Sequence, residues 1–138
     1  MLSKTLFLVT LLVGSTLAST CLHCICLRES GCKPIGCRQD MGSPSCGYYQ
    51  IKENYYKDCG MPGKRPGESV MSALRRCADD FNCATQCVQK YYQRYKHNCK
   101  GLGECEAMSR NHNGGPSGCR HRSTQGYWNH VHSCCGCS

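Results

Sequence analysis

Two carboxylates, Glu29 and Asp40, bracket the stretch ESGCKPIGCRQD, and together they could carry acid–base chemistry. Hydrolysing a glycosidic bond needs one protonated carboxyl to protonate the leaving oxygen. It also needs one ionised carboxylate to stabilise or attack the sugar carbon. The two environments must push the pKa values apart. Glu29 falls near the expected C-terminal end of a first helix, where the negative end of the macrodipole favours its neutral form. Asp40 falls in the turn DMGSP, whose free backbone donors favour the anion. Read from composition alone, two acids this close are also what a solvated loop carries.

Other residues offer other chemistry. CLHCIC (21–26) and HVHSCCGC (130–137) have metal-ligand spacing. An even set of 16 cysteines behind a leader favours disulfides over metal, so no metal or other cofactor is expected, and the pairing stays open. A serine with His112 or His97 would make a nucleophile and base, a combination too common to be specific. Aromatic rings gather at Tyr48-Tyr49, Tyr55-Tyr56, Tyr91-Tyr92, Tyr95 and Tyr127-Trp128. Such flat, polar-tipped rings match sugar faces or, at helical spacing, fill a core.

Whatever these groups do, covalent staples must help position them. The chain has 138 residues and all 16 cysteines lie at or after Cys21, a density that marks a disulfide scaffold of an oxidising compartment. A cytosolic enzyme, a coiled coil and a disordered tail are excluded. Residues 1–20 read as a secretory signal peptide, with Lys4 at the start, Leu6 to Val13 as the apolar run and Gly14 to Thr20 as the small-residue end. Cleavage is expected between Ala18 and Cys21. The run is about half the length a membrane anchor needs, and no later segment is apolar enough to span a bilayer. The expectation is a secreted, extracellular protein with one domain over 21–138.

Charge narrows the partners. Seventeen Lys and Arg against nine Asp and Glu give a net charge of +8, one less once Lys4 leaves. That balance favours anionic polymers and bacterial surfaces. The basic residues are scattered (Lys64-Arg65, Arg75-Arg76, Arg120-His121-Arg122) without a nucleic-acid-reading motif, so nucleic acid is not an expected partner.

The element pattern is helix, small sheet, then helices. Leu22, Ile25 and Cys26 predict a short first helix ending near Gly31. The turn at 40–44 and the segment Cys46 to Lys52, read as a strand, predict a hairpin region over 32–52 held by disulfides. Met61 to Gly67 reads as loop. Val70, Ala73, Leu74 and Cys77 mark one helical face, and Cys83, Cys87, Tyr91 and Tyr95 mark another. Glu104 to Arg110 predicts a further short helix, stopped by Asn113-Gly114-Gly115-Pro116. The class is α+β with the sheet as a minor lobe.

The string CLHCICLRESGCKPIGCRQDMGSPSCGYYQIKENYYKDCG (21–60) closely resembles the invertebrate-type lysozymes, the destabilase family. CATQCVQKYYQRY (83–95), HNGGPSGC (112–119) and GYWN (126–129) extend the resemblance over nearly the whole mature chain. It implies a lysozyme-like fold and hydrolysis of β-1,4 bonds between N-acetylmuramic acid and N-acetylglucosamine in bacterial peptidoglycan. Glu29 of ESGC is then the proton donor and Asp40 the nucleophile or electrostatic stabiliser. The reaction is expected to be retaining, with carboxyl groups about 5–5.5 Å apart. Substrate contacts carry over onto Lys52, Glu53, Asn54, Tyr55, Tyr56, Lys57 and Asp58, onto Tyr91, and onto His112, Asn113 and Gly114. Tyr56 replaces the Trp usual in the family, which implies weaker sugar stacking at that subsite.

Two alternatives stand beside this bacteriolytic reading. One is a non-enzymatic cationic antimicrobial protein on the same scaffold. The other is an isopeptidase acting on γ-glutamyl-lysine bonds through a Ser and a His, the second activity assigned to some members of the family.

Overall fold

The computed structural model describes residues 16–138, so most of the expected leader lies outside the described residues. Helix α1 (Thr16–Ser30) ends where Gly31 turns left-handed at φ +69°, its N–H closing on the Leu27 carbonyl at 3.0 Å. The Cys26–Cys32 disulfide clamps this terminus. Ser30 Oγ also donates to the Tyr48 carbonyl at 2.7 Å, which ties the helix end to the segment after the sheet. Glu29 is therefore delivered on the last turn of a helix fixed from two sides.

The sheet is one antiparallel hairpin, β1 (Cys37–Asp40) with β2 (Ser43–Cys46), in register Cys37 opposite Cys46 and Asp40 opposite Ser43. Its sequences, CRQD and SPSC, have little intrinsic strand preference. The Cys37–Cys46 disulfide staples the open end, and Met41 and Gly42 at positive φ turn the closed end. The strand expected over 46–52 is corrected here. Its first residue ends β2, Gly47 and Gln50 take positive φ, and only Ile51 returns to bridge Cys46. Gly47 has no alternative, because a Cβ there would lie 1.9 Å from the Ala78 carbonyl oxygen.

Helix α2 (Glu53–Asp58) follows at once and was not foreseen. Helices α3 (Val70–Ala78) and α4 (Phe81–Tyr95) form where expected and bury Ala73, Leu74 and Cys77 on one and Cys87 and Tyr91 on the other, but Val70, Cys83 and Tyr95 are only partly buried and Ala84 and Val88 complete the α4 face. Ser69 and Asp80 cap them by accepting the N–H groups of Ser72 and Cys83, worth about 1 kcal/mol each. Helix α5 (Glu104–Gly114) runs one turn beyond its expected end and stops at Gly115, φ +89°. Helix α6 (Gln125–Cys135), also unforeseen, buries Trp128 and Val131 and packs on α1 and α5.

All sixteen cysteines pair, in eight disulfides. Two of them, Cys21–Cys105 and Cys24–Cys134, span 84 and 110 residues and fasten α1 to α5 and α6. The crowded C-terminus resolves into Cys24–Cys134 and the short Cys135–Cys137 link. Among the described residues, no helix is long and apolar enough to cross a membrane.

Candidate active site

The end of α1, the hairpin, α2, α4 and the end of α5 enclose an open cleft of about 330 Å³. Both proposed catalytic acids line it, as do Lys52, Asn54, Tyr55, Asp58, Tyr91, His112 and Asn113. Four expected contacts do not. Glu53 and Lys57 pair with each other on α2 at 3.0 Å, and Gly114 sits at the end of α5 with Thr124 Cγ2 only 2.4 Å from where a Cβ would be. Tyr56 is fully buried, and its hydroxyl donates to the Pro62 carbonyl at 2.7 Å, so it anchors a loop and lies outside the cleft lining. Ser45, Gln50, Gly115 and Pro116 join the lining, the last two read in the sequence only as part of a helix stop.

Glu29 is mostly buried, its side chain 20% exposed. Its Oε1 accepts from the Tyr127 hydroxyl at 2.8 Å and lies 3.4 Å from His112 Nε2. His112 is held on both ring nitrogens. Nε2 lies 2.9 Å from the Tyr49 carbonyl, which can only accept, so Nε2 bears a proton. Nδ1 lies 2.9 Å from the Tyr55 hydroxyl. Burial pushes the Tyr55 phenol well above its ordinary pKa, with nearby Tyr91, Glu29 and Tyr49 adding to the effect, so it keeps its hydroxyl hydrogen. Neither nitrogen is offered to a serine hydroxyl, as the Ser–His reading would need.

The position of Glu29 at the end of α1 does not decide its protonation. Burial alone would raise its pKa, but the His112 hydrogen bond and charge, the Tyr127 hydroxyl and Arg28 outweigh it. The carboxyl is held below the ordinary value of 4.5.

Asp40 sits at the end of β1, its side chain 56% exposed. The expected backbone donors are not its partners. Ser45 Oγ donates to Oδ2 at 3.3 Å, and Lys52 Nζ stands 3.5 Å from the same atom. Lys52 also donates to the Asp40 and Ser43 carbonyls and to Ser43 Oγ, at 2.7, 3.2 and 2.8 Å. On the opposite wall, Tyr55 and Tyr91 stack with centroids 3.7 Å apart and planes 7° apart. Tyr91 is 3% exposed, so it serves the core and the cleft wall together.

A disulfide-stapled α+β frame with one buried and one exposed carboxyl lining an open cleft is the form of a small lysozyme-type glycoside hydrolase. The Destabilase family model matches residues 18–134. Invertebrate-type lysozyme 2 of Caenorhabditis elegans is 62% identical over the full length of both chains. A lysozyme of Magallana gigas is 51% identical over 86% of this chain and 80% of its own. The inhibitor-bound lysozyme of Meretrix lusoria superimposes with a TM-score of 0.76 at 47% identity, covering 91% of this chain and 98% of that one. The chain belongs to the destabilase family of invertebrate-type lysozymes.

Proposed function

We propose that this protein is a secreted muramidase that cleaves the β-1,4 bond between N-acetylmuramic acid and N-acetylglucosamine in peptidoglycan. The observation that carries the reading is that Glu29 and Asp40 line one cleft in contrasting surroundings. In the first step protonated Glu29 gives its proton to the glycosidic oxygen as the C1–O bond breaks and its electron pair goes to that oxygen. Asp40 forms a bond to C1 or stabilises the cation there. In the second step a water attacks C1, Glu29 now takes the water's proton, and Asp40 is released. Tyr55, Tyr91, Asn54 and Asn113 supply walls and polar groups for the sugar chain, and the net positive charge favours anionic bacterial walls. Residues 1–20 are read as a leader removed on export, leaving one domain over 21–138.

Clearing of a peptidoglycan suspension by wild type and Glu29→Gln, at low and moderate salt, tests this. Loss of clearing in the variant at both salts is expected. Equal clearing by the two proteins would withdraw the acid assignment. Killing that survives the substitution but fades with salt would favour the cationic, non-enzymatic reading.

A further inference from the structure

We infer that Tyr127 and His112 act as a positioning pair for the catalytic acid, both holding Glu29 Oε1 so that Oε2 carries the transferable proton. This rests on Glu29 being the acid, and it assigns a role to Tyr127, which lies outside the cleft lining on the unforeseen helix α6.

Oε1 accepts from the Tyr127 hydroxyl at 2.8 Å and lies 3.4 Å from His112 Nε2, whose one hydrogen is shared with the Tyr49 carbonyl at 2.9 Å. A proton placed on Oε1 would confront both. Oε2 has no hydrogen-bond partner among the described residues, so protonation there breaks nothing. Tyr127 remains a donor because burial, reinforced by Glu29, raises its pKa well above 10. His112 cannot turn away without giving up Tyr49 and Tyr55, and Tyr55 is held face to face with Tyr91. The carboxyl plane is thus fixed by α5 and α6 while one oxygen stays free. The charged and titratable groups around Glu29 are Arg28 on its own helix, Tyr55 on α2, His112 on α5 and Tyr127 on α6. Asp40, Lys52 and Asp58 share the cleft.

Tyr127→Phe tests this by removing one hydroxyl and keeping the ring. On an oligosaccharide whose leaving group is a sugar, kcat should fall about tenfold or more, with KM within about twofold, as for a lost hydrogen bond to a charged group. On the same glycone with a 2,4-dinitrophenyl leaving group, which departs without protonation, the rate should stay within about threefold of wild type. The alkaline limb of kcat/KM should move to higher pH, because a group favouring the anion is gone while burial remains. His112→Gln should give the same leaving-group split if Tyr127→Phe proves unstable. Equal losses on both substrates would mean general disturbance and would overturn the proposal, as would no loss on either. If Glu29→Gln leaves sugar-leaving-group hydrolysis intact, the acid assignment itself fails, a separate and recognisable result.

Discussion

Lys52 grips Asp40 at two points, its Nζ lying 2.7 Å from the backbone carbonyl and 3.5 Å from Oδ2. The same ammonium binds Ser43 across the hairpin turn, so one side chain sets both the turn and the carboxylate it presents. Lys52→Met should lower kcat about tenfold by loosening Asp40, since small misplacements of a reacting group cost that much or more. Stability should change by about 1 kcal/mol or less, because the ion pair is solvent-exposed. Steady-state kinetics beside a denaturant melt would check the split.

The pH dependence follows from the direction of the Glu29 shift. Burial works upward but is outweighed by His112, Tyr127 and Arg28, so the folded-state pKa lies below the ordinary 4.5. The general acid needs its proton, so kcat/KM should be highest in the acid range and decline as pH rises towards neutrality. Stability runs the other way. Ionised Glu29 stabilises the fold above its unfolded-state pKa, and that contribution is lost as pH falls through the lowered folded value. The stability gap between wild type and Glu29→Gln should therefore shrink on acidification, as read by unfolding at a series of pH values.

Restoring the tryptophan usual at position 56 should not strengthen sugar binding. Tyr56 is sealed in the core with its hydroxyl on Pro62, away from the cleft lining. Tyr56→Trp should leave KM for a chito-oligosaccharide unchanged and lower stability by about 1–3 kcal/mol through overpacking. A lower KM would place this side chain in contact with substrate after all.

The Cys24–Cys134 bridge closes a span of 110 residues and fixes α6, which carries Tyr127, against α1, which carries Glu29. Replacing both cysteines by serine should cost about 3–4 kcal/mol of unfolding free energy, because Cys21–Cys105 already shortens the loop that this bridge closes. Activity should fall with it where the fold still holds, because the Tyr127 contact loses its support. Denaturant unfolding and kcat measured on the same preparation would test both parts.

Helices α3 and α4 were legible because apolar and cysteine residues recur at helical spacing. The turn at Met41-Gly42 was legible from its chemistry. The hairpin strands were not, since CRQD and SPSC owe their pairing to the Cys37–Cys46 staple more than to strand preference. The aromatic run after Cys46 looked like a strand, but close packing of Gly47 on Ala78 bends it away. Helix α6 escaped notice because only Trp128 and Val131 of QGYWNHVHSCC are buried, too few to mark a helical face in the sequence. Only the burial of Trp128 and Val131 and its disulfides secure it.

The sequence by itself determined the stapled α+β class and the family, and it singled out the two proposed catalytic carboxylates, because cysteine spacing and short polar motifs are local and survive being read in one dimension. It could not say which tyrosine faces sugar, which is core and which binds the acid. Tyr55, Tyr56, Tyr91 and Tyr127 are chemically alike, and their roles differ only through neighbours brought from distant segments. Tyr127 reaches Glu29 from 98 residues away. The tertiary structure also decided the acid's electrostatics, since burial and the opposing pull of His112 and Tyr127 exist only once α1, α5 and α6 have packed together.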